Sequence, residues 1–144
     1  MLGRLRAAAL LLALGAACSG GDEQGDEAGV CGQLPQGYCR EGQPVTTRCW
    51  YESLAYCVEY IPRGQYVSDP TEAKRLCEEE PYVDTTGRFS VGACPGEAVG
   101  RCEAERGYVR RDYYYLGFSG FETPGLVAAL GSTLCKDRWQ EAPF

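Results

Sequence analysis

The chain contains no histidine. That removes the side chain that most often activates a serine or cysteine nucleophile, and the commonest neutral metal ligand. It contains no C-x-x-C either. A thiol oxidoreductase wants that pair at a helix start, and a structural zinc site wants Cys and His at close spacings. A Gly-rich phosphate loop is also missing. Basic residues are outnumbered, 14 Lys and Arg against 20 Asp and Glu, for a net charge of −6. Nucleic acid needs a basic face that this composition does not offer, and anionic lipid would repel the chain rather than hold it. Beyond the first 17 residues no apolar run approaches the roughly 20 residues that a spanning helix requires, so no transmembrane helix is expected there.

What is present begins at the first residues. Arg4 and Arg6 stand in an acid-free start, residues 7–14 are an unbroken apolar run, and Gly15, Ala16 and Ala17 are small. This is the three-part pattern of an export signal, expected over residues 1–17. Cys18 follows, then Ser19-Gly20-Gly21-Asp22. In Gly15-Ala16-Ala17-Cys18 the chain resembles the bacterial lipoproteins, whose signal ends in small residues and a cysteine that receives diacylglycerol. Leu14 stands four residues before Cys18, where that family's leucine stands three before. The resemblance implies lipidation of Cys18 and attachment to the membrane through acyl chains, worth ~0.8 kcal/mol per buried methylene. Ser19, in place of Asp, implies sorting to the outer membrane, with the periplasmic or surface side left open. The other reading of the segment is ordinary secretory cleavage, with Cys18 a cysteine like the rest.

Cysteine parity bears on the choice. There are nine cysteines, and an odd count in an exported chain leaves one thiol over. Lipidation of Cys18 leaves eight: Cys31, Cys39, Cys49, Cys57, Cys77, Cys94, Cys102 and Cys135. Four disulfides are then expected, each worth ~2–4 kcal/mol through restriction of the unfolded chain. Loss of residues 1–17 takes away two arginines and no acid, leaving 12 basic and 20 acidic residues and a net charge of −8.

Residues 18–29 carry four acids and four glycines with almost nothing apolar. They are expected to form a solvated tether, able to extend ~35 Å. A calcium-binding role for the acidic run is the weaker alternative. Residues 30–144 form the expected disulfide-rich domain. Three cysteine pairs share C-x7-C spacing: Cys31 with Cys39, Cys49 with Cys57, and Cys94 with Cys102. This rhythm suggests two tandem β-β-α-β-like repeats, about 49–90 and 91–144, in a small α+β fold. The preferred register aligns Cys49 with Cys94 and Cys57 with Cys102. A rival aligns Cys49 with Cys102, which also matches Arg48 with Arg101.

Strand-like runs lie at 54–61 and 108–118, with short returning strands at 88–91 and 138–139. Asp69-Pro70-Thr71-Glu72 starts a helix by capping acid, first-position proline and third-position glutamate, and Pro81 ends it. Ala73, Leu76 and Cys77 share one face. Thr123-Pro124 opens a second helix whose apolar face is Val127, Leu130, Leu134 and Cys135, with Gly125 and Gly131 arguing against it. Repeat symmetry then suggests the bonds Cys57–Cys77 and Cys102–Cys135, leaving Cys49–Cys94 across the repeats and Cys31–Cys39 at the edge. Cys31–Cys57 is the main rival pairing.

Candidate chemistry is thin. Glu103 with Glu105, and the run Glu78-Glu79-Glu80, are the acid groupings that carboxylate catalysis would need, but nothing in the spacing specifies a cleft. The helical cysteines sit near helix C-termini, where the dipole raises a thiol pKa instead of activating it. No catalytic residue, metal or cofactor is expected. Tyrosine is the best hint. There are ten, and Tyr113, Tyr114 and Tyr115 stand together after Arg110 and Arg111. In a strand Tyr113 and Tyr115 share a face, which offers a stacking surface for a sugar or protein partner. Ordinary core packing is the competing use. The expectation is a non-enzymatic envelope lipoprotein with a structural or protein-interaction role, its alternative a glycan- or peptidoglycan-binding module. It is similar, loosely, to the short cysteine-rich lipoproteins of Gram-negative bacteria.

Overall fold

The computed structural model describes residues 29–64 and 66–144. The expected signal segment, the lipidation site Cys18 and all but the last residue of the tether lie outside the described residues. Ten elements follow in chain order: β1 (Cys39–Arg40), β2 (Gln43–Pro44), β3 (Thr47–Tyr51), β4 (Tyr56–Ile61), α1 (Pro70–Glu78), β5 (Arg88–Val91), β6 (Gly100–Arg106), β7 (Tyr108–Tyr114), α2 (Pro124–Cys135) and β8 (Trp139–Glu141). The domain is α+β and carries four disulfides, as the composition suggests.

β1 and β2 form a small hairpin, and the other six strands form one antiparallel sheet in the order β5-β3-β4-β7-β6-β8. Its two halves are threaded alike. β3-β4-α1-β5 places its last strand beside its first, and β6-β7-α2-β8 does the same. The halves meet where β4 pairs with β7, centred on Val58 opposite Asp112. α1 packs on β3 and β5, and α2 on β6 and β8.

Both helix starts agree with their sequence signals. Asp69 accepts from the backbone N–H of Thr71 at 2.9 Å and of Glu72 at 3.4 Å, with Pro70 in the first turn. Thr123 precedes Pro124 in α2 without a side-chain cap bond. Pro70, Ala73 and Cys77 are the buried residues of α1, and Leu76 turns outward at 40 % exposure. In α2 the buried positions are Val127, Gly131 and Cys135, while Leu134 is exposed. Of the expected apolar face of α2, Val127, Leu130 and Cys135 meet the core, and Leu134 alone does not. The indole of Trp139 lies against Gly131 and also against Gly100 of β6, so tightly that a Cβ on either glycine would overlap the ring. Gly131 is what lets the helix descend onto the sheet.

The disulfides correct the expected map at two bonds. Cys31–Cys39 and Cys102–Cys135 are formed as expected, but Cys49 bonds Cys77 and Cys57 bonds Cys94. The reason is strand parity. Cys49 lies opposite Val58, and Cys57 opposite Trp50, so Cys49 and Cys57 project from opposite faces of the sheet. α1 covers the Cys49 face, and Cys77 reaches Cys49 at a Cα separation of 5.8 Å. Cys57 faces the other way, where the segment after β5 brings Cys94 to 6.0 Å. Cys49 of β3 is thus bonded to the cysteine of α1 as Cys102 of β6 is to the cysteine of α2, while Cys94 lies between strands.

The main core lies between the sheet and the helices. Cys49, Tyr51, Tyr56, Val58, Phe89, Cys102, Tyr114 and Val127 are buried there. A smaller cluster on the opposite face holds Cys57, Ala98 and Tyr113 with Trp50 and Tyr115 packed on it. Glu59 is buried in that face, 3 % exposed. Its carboxylate accepts from the backbone N–H of Cys94 at 2.9 Å and the hydroxyl of Tyr113 at 3.0 Å, with Arg111 at 3.8 Å. A buried carboxylate so supplied is a brace for the Cys94 segment. Among the described residues no helix is long and apolar enough to cross a membrane.

Candidate functional site

The helices cover the outer strands and leave a groove along the middle of the sheet. Alternation sends Tyr56, Val58 and Tyr60 of β4 and Arg110, Asp112 and Tyr114 of β7 toward it. A cleft of about 230 Å³ opens there. Tyr56, Tyr114, Arg110 and Asp112 form its floor, Leu134 and Arg138 lie on the α2 side, and Tyr82 lies on the side of α1.

The floor is a network of tyrosines around one ion pair. The Tyr56 hydroxyl donates to Oδ1 of Asp112 at 2.5 Å. Arg110 donates to the same oxygen from Nη2 at 2.8 Å and Nε at 3.2 Å. Burial pushes the Tyr56 hydroxyl far above the usual tyrosine range, and the Asp112 charge adds to this. Burial works against the charge of Arg110, but Asp112 outweighs it and holds the guanidinium firmly protonated. The hydroxyls of Tyr51, Tyr60 and Tyr114 are also pushed up, each chiefly by burial. At neutral pH the groove therefore presents neutral phenols, a fixed cation and a fixed partner for it.

Tyr82 is supplied by a tight turn after α1. Its N–H donates to the carbonyl of Thr85 at 2.7 Å, and the Thr85 N–H donates back at 3.2 Å. The central residues Val83 and Asp84 have φ of 49° and 60°. The Tyr82 ring stacks on Tyr56 at 5.4 Å with an interplanar angle of 23°, and Tyr51 lies tilted against it at 5.5 Å. Tyr82 stays 42 % exposed.

The tyrosines singled out from the sequence sit elsewhere. Tyr113 and Tyr115 do share a face, and Tyr114 takes the other, but Tyr113 is 7 % and Tyr114 6 % exposed. Arg101 and Phe144 lie on Tyr113. Tyr115 packs edge-on against Trp50 and donates its hydroxyl to the carbonyl of Pro95 at 2.6 Å. Tyr113 and Tyr114 are therefore no exposed stacking pair, while Tyr115 is half-buried. Tyr114 alone enters the groove, from beneath. The acid groupings are engaged in ion pairs, Glu103 with Arg111 at 2.6 Å and Glu105 with Arg63 at 2.9 Å. Glu80 pairs with Arg75 at 2.6 Å on the exposed end of α1.

Sequence inspection missed Tyr82, Asp112 and Arg138. One local signal was available: Arg110 and Asp112, at i and i+2, put two charges on one face of an aromatic strand. Among the described residues no group of three or more acidic, Cys or His side chains is placed to hold a metal. Comparison with family models, curated proteins and solved structures returns no match for this chain.

Proposed function

We propose that this chain is an envelope lipoprotein, acylated on Cys18, that works by binding rather than catalysis, and that the interhelical groove is its binding surface. The observation that carries the binding surface is the half-buried Arg110–Asp112 pair, set among tyrosines at the bottom of an open cleft. An ion pair in a half-dry floor gives packing little that a Tyr or Val would not, whereas groups with strongly shifted protonation equilibria gather at functional sites. The anchoring rests on the Gly15-Ala16-Ala17-Cys18 signal and on parity, since eight of the nine cysteines are consumed in disulfides. Support for a non-catalytic role is chemical: no histidine exists to act as base, and Glu59, Glu103 and Asp112 are each held by Arg or Tyr donors. The like threading of the two halves supports an origin by internal duplication, in the register that matches Cys49 with Cys102.

A protein partner and a glycan both suit an envelope binding domain. One feature favours the glycan: a half-exposed ring, Tyr82, stands above hydroxyl, carboxylate and guanidinium groups, the mixture that grips a polyol by stacking and hydrogen bonding. Outer-membrane sorting, through Ser19, places the domain where such polymers occur.

Two measurements test this. Metabolic labelling with a palmitate analogue should mark the wild-type chain, while Cys18→Ser should lose the label and leave the membrane fraction; equal labelling of both would end the lipoprotein assignment. Co-sedimentation of the unacylated Cys18→Ser chain with isolated sacculi should be lost when Tyr82→Ala is added, with the thermal unfolding midpoint retained. Unchanged association would remove the groove from consideration.

A further inference from the structure

The floor of the groove departs from the likeness of the two halves in one direction. The rotation that exchanges β4 and β7 swaps Val58 with Asp112, Tyr56 with Arg110 and Tyr60 with Tyr114. Packing alone is thus satisfied by Tyr and Val on one strand, while the other strand carries Arg and Asp at the same positions. Removing those charges from water is costly, and the Asp112 side chain is only 15 % exposed. Among the described residues every hydrogen bond accepted by its carboxylate goes to Oδ1. Oδ2 therefore has its lone pairs to offer.

Two further observations meet at the same cleft. Arg138, on the α2 wall, makes no ion pair among the described residues, and Arg110 is matched by Asp112. The cleft keeps one uncompensated positive charge in a chain whose net charge is −6. Opposite, the Tyr82 ring rests on Tyr56 and Tyr51 and is still 42 % exposed. The turn that holds it there sets the β-branched Val83 at φ 49°, with 69 % of that residue exposed. Such backbone strain persists where a position is imposed by its surroundings, and it collects at binding sites.

We propose that the groove is a subsite for an acidic sugar, a pyranose bearing a carboxylate, as in the uronic acids. This rests on the groove being the binding surface. The sugar's apolar face stacks on Tyr82, a ring hydroxyl donates to Oδ2 of Asp112, and the carboxylate pairs with Arg138, whose planar fork suits it. A peptide fits less well. The open edges of the sheet are β5 and β8, beyond the helices, so the groove has no strand edge on which to extend a peptide backbone.

The test is titration of the full chain, in detergent micelles, with three probes: oligogalacturonate, a chito-oligosaccharide of equal length, and oligoglutamate. The acidic sugar should bind about tenfold or more tightly than the neutral one, as one charge-assisted contact would give. Arg138→Gln should abolish that preference, and Tyr82→Ala should weaken both sugars about tenfold. Both positions are exposed enough that the thermal midpoint should hold. Equal binding of oligoglutamate would overturn the proposal, since charge alone would then suffice. Equal affinity for the neutral sugar, or failure of all three probes, would overturn it too. In those cases loss of sacculus co-sedimentation by the unacylated chain on Tyr82→Ala would show that the groove still binds something else.

Discussion

Val83 shows how a single residue is set against its own preference. A β-branched side chain at positive φ crowds its backbone, yet the Tyr82–Thr85 turn demands φ of 49° and 60° at its two central residues. The hydroxyl of Thr85 is tied to Ser53 at 3.0 Å, which fixes the turn against the β3–β4 connection. Asn tolerates this conformation far better than Val. Val83→Asn should therefore stabilise the domain by ~1 kcal/mol, read as a higher midpoint in denaturant with an unchanged slope. A neutral or negative effect would mean that the Val83 side chain has a contact worth as much as the strain. The position is exposed, so burial does not complicate the comparison.

Among the elements, α2 depends most on tertiary fit. Its glycines look alike in sequence and differ in the fold. Gly125 has open space where a Cβ would go, and Gly131 has the Trp139 indole. Gly125→Ala should gain up to ~1 kcal/mol from helix propensity. Gly131→Ala gains the same intrinsic term but must displace an indole wedged between helix and sheet, for a net loss of ~1–3 kcal/mol. Opposite signs for the two substitutions, measured by thermal or denaturant unfolding, are the expected outcome. A stabilised Gly131→Ala would show that the helix does not sit on Trp139. The same wedge brings a glycine, Gly131, into the buried face of α2 beside the expected Val127 and Cys135. The helix presents Val127, Gly131 and Cys135 inward, and Leu134 goes to the groove wall.

Across the whole molecule, tyrosine burial links stability to alkaline pH. Tyr56, Tyr114 and Tyr115 are all pushed above the ordinary value of 10.0, burial being the largest cause in each. A group whose pKa is raised on folding holds its proton more tightly in the native state. Its contribution is complete below the unfolded value and is lost as pH climbs above it. Stability should thus be level up to about pH 10.0 and then fall, with Tyr56 alone giving a slope of ~1.4 kcal/mol per pH unit. Tyrosinate absorbance should rise together with unfolding, not before it, for the buried groups. Tyr56→Phe should flatten the slope; an unchanged slope would mean that Tyr56 ionises freely in the native domain. The disulfides act on another term, the unfolded chain's entropy, and set no pH dependence here.

Local chemistry was legible in the residues themselves. The start of α1 is written in Asp69-Pro70-Thr71-Glu72, because capping and proline geometry involve only near neighbours. Alternation and β-branching marked the strands, and the α+β class followed. Composition and parity argued for disulfides, and Cys31–Cys39 closes a loop short enough to read directly. Tertiary structure decided what depends on faces and on partners distant in sequence. One residue of register put Cys49 under α1 and turned Cys57 to the opposite side, a difference that cysteine spacing does not encode. Trp139 made Gly131 a packing requirement. Coverage of both sheet faces buried Tyr113 and Tyr114, while the gap between the helices gathered Tyr82, Asp112 and Arg138 into a groove from three separate segments. A strand's periodicity specifies which side chains share a face; only the packing of the other elements determines which faces stay open.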